Sequence, residues 1–324
     1  MVEAIRRFKE RGGVKVREKL LSLLEQYEKQ IIGQEENLRL LLAANLSGGH
    51  VLLEGVPGTG KTQMVRSLAR LINGDFKRIQ FTPDLLPSDI TGSMIFNMKE
   101  GSFETLKGPI FTNILLADEI NRTPAKTQAA LLEAMEEQQV TIQGETYSLA
   151  EVFFVVATQN PIEFEGTYPL PEAQQDRFLF KLIIEFPEFE EEQEIVQGVI
   201  ENSLFTKELT DTLTLDTFLR IRKDISDITL TEEVLTYITS IVRKTRDYDA
   251  IRYGASTRAA ISIGRAAQAW AYLEGRDYVS PDDVKMVVKP ALRHRIRLTP
   301  NAELEGTAVD QIIEELLGSV TVPR

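Results

Sequence analysis

Residues 55–62 read GVPGTGKT, a glycine-rich segment of the pattern G-x-x-x-x-G-K-[ST]. Glycines at these positions let the backbone curl until its N–H groups point at phosphate oxygens, and the helix that follows adds the positive end of its dipole. Lys61 is placed to reach the β- and γ-phosphates of a nucleotide, and the Thr62 hydroxyl to bind Mg²⁺. The apolar strand VLLEG before the segment and the amphipathic helix after it are the setting that this chemistry requires. The segment therefore predicts a nucleotide phosphate site.

Two adjacent acids, Asp118 and Glu119, end the apolar segment ILLADE. An Asp-Glu pair alone says little, but after a buried strand downstream of a phosphate loop it indicates a site for Mg²⁺ and water. We expect Asp118 to hold the Mg²⁺ shell and Glu119 to accept the proton of the attacking water.

Three other polar residues admit two interpretations each. The Asn160 amide, after the strand VVAT, is suited to hold the water beside Glu119, although an Asn-Pro pair taken alone is more typical of a turn. Arg177, in PEAQQDRF, is either a surface arginine paired with a nearby acid or an arginine finger for a neighbouring subunit's γ-phosphate. Arg258, in GASTRAA, lies near a predicted helix start, where a cation opposes the helix dipole. It is either an ordinary exposed arginine or a phosphate ligand.

The elements that must position these residues follow from the apolar pattern. Apolar segments at residues 50–54, 78–82, 114–118, 152–158 and 178–186 predict strands. Most are apolar throughout, which is typical of strands buried on both faces of a parallel sheet. With helical patterns between them, they predict an α/β fold, an αβα core with a five-stranded parallel sheet. Helical patterns dominate after residue 187, so we expect the core over residues 1–187 and a smaller all-helical domain over residues 188–324.

Composition narrows the classes of function. The chain has 324 residues, 37 Lys and Arg against 49 Asp and Glu, and a net charge of −12, which argues against a surface that binds nucleic acid everywhere. The absence of cysteine excludes thiolate chemistry, and two histidines, His50 and His294, argue against a multi-histidine metal site. No segment predicts a membrane span or a secretory signal, so we expect a cytoplasmic protein. Near the start, Val2, Ile5 and Phe8 have helical spacing, which predicts an N-terminal surface helix, with a helix that lies on a membrane surface as the less favoured alternative.

A basic cluster, formed by Arg293, His294, Arg295 and Arg297, is the best support for an alternative function, a DNA-stimulated nucleic-acid motor. The simpler interpretation is a basic face that is exposed to solvent or to a protein partner. The net charge of −12 favours the simpler interpretation.

The motifs, in this order and spacing, resemble those of AAA+ ATPases, and within them those of the MoxR family. The residues that carry the resemblance are GVPGTGKT, LLADEINR, ATQNPIEFEGTYPLPEAQQDRF, GASTRA and PALRHRIRL, and it extends over nearly the whole chain from Ile31 onward. It implies the Walker A motif for residues 55–62 and the Walker B motif for Asp118 and Glu119. It also implies sensor 1 for Asn160, the arginine finger for Arg177 and sensor 2 for Arg258.

The resemblance implies further contacts and elements. The string IIGQEE is similar to the family's adenine-contacting entry, and hairpin insertions fit residues 93–109 and 140–149. The residues implied to contact ATP or ADP are Ile32, Gly33, Gly55, Val56, Pro57, Gly58, Thr59, Gly60, Lys61, Thr62, Gln63 and Arg258, with Thr62 and Asp118 on Mg²⁺.

Family members are chaperone-like ATPases that form hexameric rings and often work with proteins that carry a von Willebrand factor A domain. The resemblance therefore implies a homo-oligomeric ring and a protein client. A non-enzymatic scaffold that binds nucleotide is a third interpretation, and the intact Asp118–Glu119 pair argues against it.

Overall fold

The computed structural model describes residues 13–161, 167–201 and 211–323. The predicted stripe of Val2, Ile5 and Phe8 lies outside these residues. The strands in chain order are β1 (Val51–Gly55), β2 (Phe76–Gln80), β3 (Gly92–Asn97), β4 (Ser102–Lys107), β5 (Ile114–Asp118), β6 (Gln139–Ile142), β7 (Glu145–Ser148), β8 (Phe154–Gln159), β9 (Phe180–Ile184), β10 (Ile251–Tyr253) and β11 (Arg297–Leu298).

The helices, numbered over the same residues, are α1 (Gly13–Glu28), α2 (Glu35–Leu46), α3 (Lys61–Leu71), α4 (Pro87–Thr91), α5 (Ala125–Glu137), α6 (Glu172–Gln175), α7 (Phe189–Ile200), α8 (Leu215–Ser226), α9 (Glu232–Lys244), α10 (Thr257–Leu273), α11 (Pro281–Leu292), α12 (Pro300–Leu304) and α13 (Val309–Ser319). No helix in the described ranges is both long and apolar enough to cross a bilayer.

The central sheet is parallel and has the strand order β2-β5-β8-β1-β9. The predicted five-stranded parallel sheet is confirmed, with β5 at its predicted bounds and the ends of the other four strands displaced by one or two residues. Because the strands are parallel, their carboxyl ends meet at one edge of the sheet and their amino ends at the other. Loops that leave the carboxyl ends of such strands are where α/β proteins bind ligands.

Alternating residues of the strands contribute to two separate apolar clusters, one on each face of the sheet. Val51 and Leu53 pack with helices α1 to α3, whereas Leu52 packs with helix α5. The first cluster continues into residues of α8 to α11, so the helical region packs directly against one face of the core. This packing makes an αβα core with a helical layer joined to it.

Two antiparallel hairpins lie where the sequence indicated them. Strands β3 and β4 pair from Gly92↔Lys107 to Asn97↔Ser102, and β6 pairs with β7. The second hairpin turns at Gln143 and Gly144, both with positive φ, which is the backbone of a type I′ turn. A third antiparallel pair, β10 with β11, lies in the helical region, where we expected helices alone.

Candidate nucleotide site

A polar cleft lies at the carboxyl edge of the sheet, where strands β1, β5 and β8 end. It is lined by Pro57, Gly58, Thr59, Gly60, Lys61, Thr62, Gln63, Arg66, Arg78, Asp118, Glu119, Thr158, Gln159 and Asn160. Register explains the convergence, because Glu54 pairs with Gln159 and Ala117 pairs with Ala157 across neighbouring strands. The structure thus brings together the glycine-rich loop, the two acids and Asn160.

The glycine-rich loop ends in a backbone conformation that suits glycine. Gly58 and Gly60 have φ of 87° and 79°, and Gly60 is the residue before helix α3. Lys61 folds back onto this loop, where its Nζ donates to the carbonyls of Gly55 at 2.6 Å and Val56 at 2.8 Å. Burial lowers the pKa of Lys61 from 10.5, while Asp118 and Glu119 act in the opposite direction. Phosphate oxygens would be stronger partners for this ammonium than the two carbonyls.

The Asp118 carboxylate is held by a cation and a hydroxyl. One oxygen accepts from Arg78 Nη2 at 2.5 Å, and the other accepts from Thr158 Oγ1 at 2.5 Å. Arg78 lies on β2, the neighbour of β5, where Gln80 is in register with Asp118. The carboxylate is therefore fixed from two neighbouring strands.

Glu119 is fixed by the same two strands. Gln80 Nε2 donates to its carboxylate at 2.7 Å, Arg122 Nε lies 3.0 Å from the same oxygen, and its backbone N–H donates to Thr158 Oγ1 at 2.9 Å. Glu119 has φ 57° and ψ 49°, a left-handed conformation that is rare outside glycine. Such strain concentrates at functional sites, where the surrounding contacts maintain it.

The donor set of this cleft fits Mg²⁺. Magnesium takes oxygen ligands, and proteins usually supply one or two of them beside substrate phosphates and water. The Thr62 hydroxyl and the Asp118 carboxylate line the same cleft, and Asp118 already pairs with a cation. No group of three or more His, Cys, Asp or Glu side chains that could hold a metal ion occurs among the described residues.

A second, largely apolar cavity adjoins the glycine-rich loop. It shares Pro57 to Gly60 and Gln63 with the polar cleft, and its other walls are Gln30, Ile31, Ile32, Gln34, Met64, Phe186, Pro187, Glu192, Ile195 and Val196. One loop therefore separates a polar compartment from an apolar one, as a nucleotide with charged phosphates and an aromatic base requires. Sequence reasoning found Ile32 in this cavity and missed the wall from helix α7.

Gly33 does not line this cavity but lies between two residues that do. Its φ is 76°, and a Cβ there would lie 2.5 Å from a Glu191 carboxylate oxygen. The positive φ favours glycine in the turn before α2, whereas the Glu191 carboxylate is the end of a flexible side chain that could move away from a Cβ.

Arg177 and Arg258 lie apart from the polar cleft. They line a cavity with residues 47–50, Met135, Glu136, Asp176, Leu179, Ile261, Ser262, Arg265 and Arg295. Residues 47–50 precede strand β1 and Leu179 precedes β9, so this cavity lies at the amino edge of the sheet. The two edges are one strand apart, about 16 Å for the five residues of β1. The arginines consequently do not contact the polar cleft of their own chain.

The basic cluster of residues 293–297 is not the exposed basic face that we expected. His294 is buried, with a pKa well below 6.5 because of burial, and Arg295 is 3% exposed and pairs with Asp176 at 2.7 Å. Arg293 pairs with Asp310 at 2.7 Å and Arg297 with Glu172 at 3.0 Å. The expectation was wrong for Arg293, His294 and Arg295, because these side chains bond to backbone carbonyls of the core at Lys181 and Phe178. Arg297 is exposed, and with three of the cluster's four residues bound inside the protein the nucleic-acid alternative loses its main support.

The predicted site residues left out four polar residues that line the cleft, Arg66, Arg78, Thr158 and Gln159. They also left out Gln80, which donates to Glu119. Arg78 and Gln80 lie in the second strand, which was predicted as RIQFT and is observed as FKRIQ, the least apolar of the five strands of the sheet. Polar residues at alternate positions of a strand in a parallel sheet are an observable departure from the apolar pattern. The Arg78 and Gln80 side chains reach the two acids because β2 lies beside β5, and the sequence alone does not predict this strand order.

Comparison with known proteins agrees with this geometry. A model of the ATPase family associated with various cellular activities (AAA) matches residues 50–180, and an AAA lid domain model matches residues 243–316. A crystal structure of an ATPase candidate from Cytophaga hutchinsonii superposes with a TM-score of 0.91 at 45% identity, covering 98% of this chain and 99% of that one. Fold and site together define the class as AAA+ ATPase.

Two relatives narrow the class. Chaperone MoxR1 of Mycobacterium tuberculosis is 43% identical over 303 residues, 91% of this chain and 80% of the relative. The uncharacterized protein YeaC of Bacillus subtilis is 49% identical over 300 residues, 93% of each chain. The chain belongs to the MoxR family of AAA+ ATPases.

Proposed function

We propose that the protein hydrolyses ATP with Mg²⁺ at the interfaces between subunits of a ring, hexameric as the resemblance implies. Lys61 and the loop amides bind the phosphates, Thr62 and Asp118 hold the metal, and the apolar cavity at Ile32 takes the base. Glu119 activates the water that the Asn160 amide positions. When bound, Mg²⁺ neutralises charge on the phosphate oxygens.

The proposal that the active site lies between subunits rests on one observation. Arg177 and Arg258 lie at the edge of the sheet opposite the polar cleft. An arginine side chain does not span the length of a strand. In a head-to-tail ring, however, two different surfaces of each subunit meet, so the amino edge of one subunit can face the nucleotide of the next. We assign both arginines to the neighbour's γ-phosphate, where they stabilise the charge that develops during hydrolysis.

The energy of this cycle drives remodelling of a protein partner. The relative from M. tuberculosis is named a chaperone, which supports a protein client. A protein with a von Willebrand factor A domain is the partner that the family resemblance suggests.

The test is ATP turnover per subunit as a function of protein concentration, with Mg²⁺ and no client. The specific rate is expected to rise with concentration, because assembly completes the site. Glu119→Gln is expected to bind ATP and to lose turnover, and Arg177→Ala to lose about a thousandfold at saturating protein. A wild-type rate in Glu119→Gln would refute the proposed hydrolysis, and a rate independent of concentration would refute the shared site.

A further inference from the structure

The carboxylate of Glu136, near the end of helix α5, contacts both arginines that we assign to the neighbour. Its two oxygens lie 2.9 Å from Arg177 Nη2 and 3.1 Å from Arg258 Nη2. The side chains are 39%, 30% and 52% exposed, in the order Glu136, Arg177, Arg258. A single anion therefore bridges two cations at the surface of the free subunit.

A carboxylate oxygen and a phosphate oxygen offer a guanidinium the same kind of bond, a charge-assisted N–H···O contact. Glu136 thus offers Arg177 and Arg258 the anionic oxygen acceptors that a neighbour's γ-phosphate would offer in the ring. Two guanidinium groups held together without an anion would repel each other, so an internal carboxylate also keeps them on one surface.

Asp176, the second acid of this cavity, has a different role. It pairs with Arg295 at 2.7 Å, and Arg295 also donates to the carbonyls of Phe178, Leu179 and Ala291. Asp176 lies 3.8 Å from Arg258, farther than Glu136. Since Arg295 is buried and multiply bonded, Asp176 stays with it, and Glu136 is the carboxylate that the two exposed arginines can leave.

We propose that Glu136 is a positioning residue that holds Arg177 and Arg258 in place of the neighbour's phosphate and must release both before the shared site is complete. This inference rests on the proposed function. When subunits assemble around ATP, the two arginines exchange the Glu136 carboxylate for the neighbour's γ-phosphate. The strength of the Glu136 contacts therefore affects the protein concentration at which turnover reaches half its maximum.

The experiment compares the concentration dependence of ATP turnover in wild type, Glu136→Gln and Glu137→Gln. The first substitution is isosteric and removes the competing charge. The second is the matched control: Glu137 is the next residue of α5, is exposed, and forms no ion pair within the described ranges. For Glu136→Gln we expect the protein concentration at half-maximal specific rate to fall about two- to fivefold, the range for exposed ion pairs. The maximal rate per subunit and the melting temperature should stay close to wild type.

A concentration midpoint in Glu136→Gln that equals or exceeds that of wild type would overturn the inference. The same shift in both variants would also overturn it, because a general charge effect would then explain the result. In an Arg258→Ala background, Glu136→Gln should give a smaller shift, because one of the two competing pairs is absent. Failure of the proposed function looks different: Arg177→Ala would then turn over ATP at the wild-type rate.

Discussion

At the scale of single residues, Thr158 links the two acids of the site. Its hydroxyl donates to Asp118 at 2.5 Å and accepts from the Glu119 N–H at 2.9 Å, and the residue is 2% exposed. Thr158→Val keeps the shape and removes both bonds. We expect turnover to fall roughly ten- to a hundredfold, because Glu119 loses its position. Leaving a buried N–H unpaired should lower the free energy of unfolding by about 1–3 kcal/mol.

The matched variant is Thr158→Ser, which keeps the hydroxyl and loses only the methyl group. Steady-state turnover at saturating protein and a urea titration would measure both effects. If Thr158→Val and Thr158→Ser turned over ATP equally fast, the hydroxyl would have no positioning role.

At the scale of elements, His50 joins three parts of the core. It precedes strand β1, accepts at Nδ1 from the N–H of Val155 in β8, and donates from Nε2 to the carbonyl of Met135 in α5. The backbone N–H at Nδ1 requires the neutral Nε2–H tautomer. Because the imidazole is buried, the pKa of His50 is lowered from 6.5 to about 4.

This pKa predicts loss of stability in acid. The unfolded chain binds a proton at His50 below its ordinary pKa of 6.5, whereas the folded chain does not until about 4. The stabilisation that comes from neutral His50 is thus complete above pH 6.5 and decreases as the pH falls from 6.5 to about 4. About 2 kcal/mol should be lost from His50 alone between pH 7 and about pH 5.

Urea unfolding of wild type and His50→Gln at these two pH values checks the prediction. The free energy of unfolding should fall less with acid in His50→Gln, although part of the dependence remains because His294 is also buried with a lowered pKa. Equal losses in the two proteins would contradict it.

Elements differed in how well the sequence predicted them, for physical reasons. Strands β1, β5 and β8 are buried on both faces, so their apolar runs were sufficient to predict them as strands. Strands β10 and β11 have three and two residues, too short for any periodicity, and they form because packed helices bring them together. The glycine-rich loop and both acids, which lie in one cleft, were proposed from the sequence because nucleotide chemistry would fix their residue types and spacing.

At the scale of the whole molecule, the sequence indicated Arg177 and Arg258 as candidate site residues but did not predict where in the fold they lie. Their location depends on which edge of the sheet a loop leaves, a property of strand direction and order. Arg177 lies before β9 and Arg258 at the start of α10, and only the fold brings both to Glu136. The same geometry leaves each subunit with the phosphate cleft at one edge and the arginines at the other.

That separation predicts complementation between two inactive proteins. Glu119→Gln subunits keep Arg177 and lack the base, and Arg177→Ala subunits keep the base and lack the finger. In a random ring of equal parts, about a quarter of the interfaces pair an intact base with an intact finger, so the mixture should reach about a quarter of the wild-type rate. A site built within one chain would give a mixture no faster than the average of its two components. Turnover measured before and after mixing, with the doubly substituted protein as the blank, therefore shows whether the two edges of neighbouring subunits form one active site.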